Sequence, residues 1–223
     1  MKPDDGLLRV WDLPTRIFHW TLVLLVALQF ASGEFGWLPM RWHYWLGYAT
    51  LAALLFRLAW GFVGSDTSRF ARFVRGPRAA LRYGADFLRG ATQRAPGHNP
   101  LGGWSVLALL ACLLVQAVSG LFTSDDIMEQ GPLVARAPEA TIEFMTSVHA
   151  LNRYLLVLLI ALHVTAVLVH RLRGHDLVAA MWHGRARFDG TPAPRLASSW
   201  RALLVVAISA PIVWAVVAWG EAG

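Results

Sequence analysis

Five long apolar blocks constrain the fold of this chain more than any other feature. They lie at about residues 17–36, 42–63, 103–123, 147–170 and 199–219. Blocks of about 18 or more apolar residues are typical of helices that cross a lipid bilayer. Charged residues make up only 15% of the chain, against about 25% in soluble domains. The sequence therefore predicts an all-α integral membrane helical bundle with five spans.

Charges in the connecting segments predict the orientation of these spans. Segment 64–102 contains seven arginines and two acidic residues, whereas segment 124–146 contains one arginine and five acidic residues. Basic residues favour the cytoplasmic side of a membrane. We therefore expect a multi-pass protein of the bacterial inner (cytoplasmic) membrane, with a cytoplasmic N-terminus and a periplasmic C-terminus. The polar N-terminal residues do not form a cleavable signal, so the first block is expected to remain as a span.

Two charged segments allow more than one interpretation. The stretch from Arg69 to Gly90 interleaves arginine with apolar and aromatic residues. It predicts either an amphipathic helix on anionic lipid or a docking surface for a cytoplasmic partner. The acidic segment 124–146 is either a solvated loop or a surface that faces a basic periplasmic redox partner. A proline-containing linker near residues 188–198 leads to the fifth span. We therefore divide the chain into a domain over 1–190 and a segment over 191–223 that contains linker residues and the fifth span.

Cys112 is the only cysteine of the chain. A single cysteine excludes an internal disulfide, a c-type haem attachment through CxxCH and a cysteine-rich zinc or iron–sulfur site. Because Cys112 lies within an apolar block, we expect it to act as a small buried hydrophobic residue.

The fourth block carries histidines at two depths. His149 and His163 are 14 residues apart, which corresponds to about 21 Å along a helix axis. This spacing completes nearly four turns, so both imidazoles lie on one side of the helix. Such a helix suits two cofactors stacked across the bilayer, and it does not suit one metal ion bound by both rings.

Each of these histidines has an expected partner at the same depth. His19 lies near the cytoplasmic end of the first span, and His43 lies near the periplasmic start of the second. Because the fourth span runs inward, depth pairs His43 with His149 and His19 with His163. Two axial imidazoles on one iron are typical of a low-spin haem b that transfers electrons. His170, seven residues after His163, is either a competing inner ligand or an interfacial residue.

Two glycines and two arginines lie at spacings that match the predicted ligands. Gly33 and Gly47 are expected to let a flat macrocycle approach a helix backbone, although tight helix packing also explains them. Arg57 and Arg153 are expected to pair with haem propionates, although Arg153 also has the option of snorkelling to the membrane surface. The remaining histidines are expected to be solvated: His98, His175 and His183.

The stretches that carry these residues are "RVWDLPTRIFHW", "HYWLGYATLAALLFRLAWGFVG", "GHNPLGGWSVLALLACLLVQAVSGLF" and "HALNRYLLVLLIALHVTAVLVHRLRGHDLVAAMWHG". They resemble the bacterial cytochrome b-561 family, which includes the b-type cytochrome subunit of Ni,Fe-hydrogenases, over about residues 8–190. The resemblance implies a four-helix core that holds two b haems, with ligands on the first, second and fourth helices. It therefore assigns His163 rather than His170 to the inner pair, and it leaves the fifth span outside the core.

The resemblance also implies transmembrane electron transfer between a redox partner and the quinone pool of a respiratory chain. The expected partner is a periplasmic c-type cytochrome, a hydrogenase or another dehydrogenase, and lipid surrounds the spans. No carboxylate lies in the interior of a predicted span, so a quinone site is expected near the headgroups. The sequence does not decide whether the chain has quinone oxidoreductase activity of its own. A histidine-based divalent metal transporter is the alternative function, although such pathways usually add carboxylates to the imidazoles.

Overall fold

The computed structural model of this chain describes residues 7–91, 97–124, 129–187 and 193–223. Within these ranges the helices are, in chain order, α1 (Leu13–Gly33), α2 (Met40–Val63), α3 (Phe70–Phe73), α4 (Pro77–Leu88), α5 (Pro100–Gly120), α6 (Glu139–Leu172), α7 (Leu177–His183) and α8 (Ser199–Glu221). Five of these helices are long and apolar enough to cross a membrane: α1, α2, α5, α6 and α8. This confirms the prediction of an all-α membrane bundle with five spans.

Side-chain caps and prolines determine where two of the spans begin. Asp12 caps α1, where its Oδ1 accepts a hydrogen bond from the backbone N–H of Thr15 at 2.6 Å. Asn99 caps α5 in the same way and accepts from the N–H of Gly102 at 2.7 Å. A proline lies in the first two positions of each helix, where its missing N–H costs nothing. Both helices therefore begin before the apolar blocks from which they were predicted.

Helix α6 is longer than the span predicted from its apolar block. Its 34 residues correspond to about 51 Å, compared with about 30 Å for the hydrocarbon core of a bilayer. The additional residues lie mainly at its polar N-terminal end, which begins at Glu139 rather than near residue 147.

The packing of the spans leaves one side of α6 uncovered. The closest helix pairs are α5 with α6, α1 with α2, and α2 with α8. Among the spanning helices, in the described parts of the chain, α6 packs extensively only against α5. Only 6% of its membrane-crossing window is buried. The histidine-bearing side of α6 therefore faces α1 and α2 across a gap that a large flat group could fill.

A small sheet and several loop contacts close the end of the bundle where α1 begins. Strand β1 (Leu7–Arg9) pairs antiparallel with strand β2 (Arg185–Arg187). Residues 188–192 of the predicted linker lie outside the described residues, as do 125–128 of the acidic segment. The rest of the linker is fixed, because Arg195 O accepts from the backbone N–H of Asp66 at 3.0 Å and Ser65 Oγ accepts from that of Ala197 at 2.8 Å.

The basic stretch after α2 forms α3 and α4. Helix α4 exposes Leu81 and Leu88, which are 75% and 82% accessible, beside the arginines at 78, 82 and 89. The opposite side of α4 packs on the bundle through Phe87, whose ring centroid lies 4.9 Å from that of His170. This arrangement has the amphipathic character that the sequence predicts.

Candidate functional site

Two of the predicted ligands face each other at the end of the bundle that we call the outer end. His43 in the first turn of α2 and His149 in α6 have ring centroids 6.3 Å apart and ring planes at 81°. A metal ion about 2 Å from one nitrogen of each imidazole separates the two ring centroids by roughly 6 Å. The spacing of His43 and His149 therefore fits one metal centre between the two rings.

Hydrogen bonds at Nδ1 orient both of these imidazoles. Ser32 Oγ on α1 lies 3.1 Å from Nδ1 of His43, and Ser119 Oγ on α5 lies 3.2 Å from Nδ1 of His149. The carbonyl oxygen of Gln116 is also 2.9 Å from Nδ1 of His149. Because a carbonyl oxygen only accepts hydrogen bonds, Nδ1 of His149 carries the proton and Nε2 keeps its lone pair for a metal.

A glycine follows each of these serines and leaves space for an imidazole ring. A Cβ atom at Gly33 would lie 2.6 Å from Cε1 of His43, and one at Gly120 would lie 3.0 Å from Cε1 of His149. Gly33 thus lies at the outer end, and its missing side chain leaves room for the ring of His43. Gly120 was missed, although the repeated Ser–Gly pair at 32–33 and 119–120 was a signal that could have identified it.

A cavity of about 330 Å³ opens beside the outer histidines. Its lining includes all the residues predicted for the outer site: His43, His149, Gly33, Gly47 and Arg153. Among the described residues, a Cβ atom at Gly47 would contact the side chain of Gln29 alone, at 3.4 Å. A largely apolar cavity with a few converging polar groups is typical of a cofactor site.

Arg153 lies at the mouth of this cavity. Its Nη1 donates to Glu34 Oε2 at 2.9 Å, and its guanidinium lies 4.8 Å from the ring centroid of Tyr154. The side chains of Arg153 and Glu34 are 39% and 43% exposed. Arg153 therefore lines the outer cavity and is also partly exposed. This position is compatible with both interpretations of Arg153, pairing with a propionate and snorkelling to the membrane surface.

A polar contact between α5 and α6 fixes the rotation of the helix that carries His149. Asn152 Nδ2 donates to the Cys112 carbonyl at 3.0 Å and to Gln116 Oε1 at 2.7 Å. Gln116 Nε2 in turn donates to the His149 carbonyl at 3.1 Å. Cys112 is buried, and its Sγ lies 3.3 Å from Asn152 Oδ1. Sequence reasoning did not identify Gln116 or Asn152, because isolated amides in a span have no spacing that marks them.

The other two predicted ligands lie at the opposite end, which we call the inner end. His19 on α1 and His163 on α6 are close enough to interact electrostatically, and both are half-buried. The ring of His19 also contacts Trp20, with centroids 5.0 Å apart. Nδ1 of His19 is buried without a hydrogen-bond partner among the described residues, unlike Nδ1 of the two outer histidines.

His170 lies seven residues beyond His163 on α6. It is 8% exposed, and its ring lies against Phe87 of α4 and 5.9 Å from the ring of His175. His170 is thus near the end of α6 as expected, but it is buried under α4. His183 is exposed, whereas His175 is only partly so.

Arg57 also lies at the inner end, in the interior of the bundle. Its side chain is only 3% exposed, and its guanidinium carbon is 5.0 Å from the ring centroid of Phe70 and 5.9 Å from that of Phe73. Nη1 of Arg57 is buried and has no hydrogen-bond partner in the described part of the chain. A buried cation of this kind favours a nearby anion.

The prediction that His98 is solvated is wrong. Its ring centroid lies 4.5 Å from that of Phe73 and 4.8 Å from that of Trp11. Burial, and to a smaller extent the charge of Arg57, lowers the pKa of His98 to about 3. Without a neighbouring anion, His98 is therefore neutral. It lies within range of the charges that His19 and His163 carry when they are protonated.

A comparison with known protein families identifies a match over most of the chain. The sequence profile of the family described as prokaryotic cytochrome b561 matches residues 10–184. These residues include α1, α2, α5 and α6 in full, and therefore all four histidines of the two pairs. No curated protein matches the chain.

Proposed function

This chain belongs to the prokaryotic cytochrome b561 family, and from that premise we propose how it transfers electrons across the membrane. The family makes it a membrane b-type cytochrome of electron transport that binds haem b. The proposal is that two b haems lie one above the other, held by His43 with His149 at the outer end and by His19 with His163 at the inner end.

The single observation that carries this proposal is the geometry of the outer pair. Two imidazoles from different helices face each other at 6.3 Å between centroids, and both Nδ1 atoms are already hydrogen-bonded. Their Nε2 atoms are then the natural ligands of one iron. Bound haem supplies one-electron chemistry at that iron, and bis-histidine ligation favours electron transfer over oxygen binding.

The inner pair is supported by a different set of observations. His19 and His163 interact electrostatically across the gap between α1 and α6. The spacing of 14 residues between His149 and His163 gives two sites on one side of α6, about 21 Å apart along its axis. In the proposal electrons pass between these two sites, and hydrogen bonds at Nδ1 hold the two outer ligands in a fixed orientation.

Four further residues are proposed to position the haems. Gly33 and Gly47 line the outer cavity without side chains, so that a haem could approach the helix backbones there. Arg153 at its mouth would hold an outer propionate, in competition with Glu34. Arg57, buried at the inner end, would hold an inner propionate, since paired arginine–carboxylate hydrogen bonds are strong.

The partners and direction belong to the same proposal. The chain would receive electrons from a periplasmic c-type cytochrome, a hydrogenase or another dehydrogenase, and it would exchange them with quinone. The described spanning helices have no acidic residue in their interior, because Glu139, Glu143 and Glu221 lie at or near helix ends. Proton exchange with a quinone is thus proposed near the headgroups, with the N-terminus in the cytoplasm, as the arginine-rich loops indicate.

The optical spectrum of the purified protein tests the proposed function. A dithionite-reduced sample should show the sharp alpha band of low-spin haem b, and a soluble quinol should reduce the oxidised protein. A divalent metal transporter would show neither signal. Colourless protein from cells supplied with a haem precursor would overturn the proposal. The His183→Ala variant, altered at an exposed histidine, should behave as wild type and serves as the control.

A further inference from the structure

Two buried polar atoms without partners lie near each other at the inner end. Nη1 of Arg57 and Nδ1 of His98 are both buried, and neither has a hydrogen-bond partner in the parts of the chain that the structure describes. Both side chains pack against the ring of Phe73, and the charge of Arg57 acts on His98. Buried polar groups are normally hydrogen-bonded. We therefore expect a ligand to bind both atoms at this position.

The described residues of the chain do not supply the missing anion. None of the three ion pairs within them includes Arg57. Asp12 is an acid whose charge acts on Arg57, but its own oxygens are already engaged. They accept from the backbone N–H of Thr15, from Trp60 Nε1 and from Ser68 Oγ. The described residues therefore leave Arg57 without a bound anion.

The chemistry of the two side chains indicates a carboxyl group. A guanidinium offers planar, paired donors that match a carboxylate. His98 is hydrogen-bonded to the Thr67 backbone, and its Nδ1 has no partner among the described residues. A carboxylate beside Nδ1 favours the protonated imidazole, which donates from both ring nitrogens. The surrounding aromatic rings of Phe70, Phe73 and Trp11 keep the site dry and strengthen such contacts.

The location of Arg57 and His98 indicates which carboxyl group binds to them. Arg57 is 14 residues after His43 on α2, about 21 Å along that helix, which equals the separation of the two proposed sites along α6. His98 shares the ring of Phe73 with Arg57, and it lies within range of the charges of His19 and His163. Arg57 and His98 therefore lie at the depth of the proposed inner haem. We propose that Arg57 and His98 together form a carboxylate-binding site for one propionate of that haem. This inference rests on the proposed function and adds to it a second binding residue, which comes from the segment before α5 rather than from a spanning helix.

Resonance Raman spectroscopy of the haem-containing protein tests this inference, because the propionate bending band reports hydrogen bonds to that group. The test variant is His98→Phe, which suits the aromatic surroundings and removes both ring nitrogens. Arg57→Gln removes the other side of the site. Each change should shift the band of one haem and should speed the transfer of one haem to apomyoglobin by about tenfold. The matched control His183→Phe, at an exposed position, should leave both bands and the transfer rate unchanged.

A second measurement uses the wild-type chain and so does not depend on how the variants fold. Haem with both propionates esterified should bind one of the two sites more weakly than natural haem does. This difference in affinity between the two forms of haem should be smaller in His98→Phe. A haem-replete wild type whose variants keep both propionate bands would overturn this inference alone. Wild-type protein without any haem would overturn the proposed function, and this inference with it.

Discussion

Ser119 Oγ lies 3.2 Å from Nδ1 of His149 and donates its own proton to the Val115 carbonyl at 2.7 Å. The hydroxyl oxygen therefore accepts from the imidazole N–H, which makes the ring a stronger electron donor to a metal. A stronger donor stabilises the ferric state. Ser119→Ala should accordingly raise the midpoint potential of one haem by roughly 10–50 mV, because the Gln116 carbonyl remains as a partner.

A redox titration measures this shift, and the chain offers a matched control. Ser209 in α8 makes the same type of bond to the Val205 carbonyl, at 2.8 Å, and contacts no histidine in the described residues. An equal shift in Ser209→Ala, or no shift in Ser119→Ala, would contradict the assigned role of the hydroxyl.

The close approach of α1 to an outer ligand gives a second prediction. In Gly33→Ala the new Cβ would lie 2.6 Å from Cε1 of His43, so the ring has to move. We expect loss of the outer haem, and a destabilisation of about 1–3 kcal/mol from overpacking. Haem quantification and thermal unfolding in detergent measure the two effects. Gly84→Ala, where nothing lies within 4 Å of the added Cβ, should change neither, and wild-type haem content in Gly33→Ala would refute the prediction.

The buried cap of α1 gives a third prediction. Asp12 is 3% exposed, and it accepts hydrogen bonds from Thr15, Trp60 and Ser68. Removing a cap and leaving buried donors unpaired should lower the free energy of unfolding by about 2–4 kcal/mol in Asp12→Ala. The exposed cap of α7, Asp176, provides the comparison. Thermal unfolding should show a clearly smaller loss in Asp176→Ala, and equal losses would count against the buried network.

The ion pair at the mouth of the outer cavity gives a fourth prediction. Glu34 and Arg153 are both partly exposed, so their pair contributes at most about 1 kcal/mol to stability. Their charges nevertheless act on a neighbouring haem with opposite signs. Glu34→Gln should raise the outer midpoint potential and Arg153→Gln should lower it, and added salt should reduce both shifts. Shifts of the same sign in potentiometric titrations would show that neither charge acts directly on the haem.

The spans could be predicted from the sequence because hydrocarbon imposes a strong and simple requirement on composition. The boundaries of α1 and α5 could not, since they depend on the caps Asp12 and Asn99 and on adjacent prolines rather than on hydropathy. Helical periodicity also predicted which side of α6 carries both His149 and His163.

The residues that surround the candidate ligands could not be predicted as well from the sequence. Ser119 and Gln116 contact His149 from another helix, and no spacing within one helix encodes that contact. His98 was misjudged for a related reason: a basic, loop-like segment indicates solvent, whereas Trp11 and Phe73 cover this ring from distant parts of the chain. Tertiary packing, and not local composition, decided both cases.

Haem quantification by the pyridine haemochrome method, in the wild type and in single alanine variants of His19, His43, His149 and His163, tests the central claim most directly. The account predicts two haems per chain in the wild type, and the loss or conversion of one haem in every variant. Loss of the same spectral component in His43→Ala and His149→Ala would support the outer pairing. A full complement of unaltered haem in His43→Ala would contradict it.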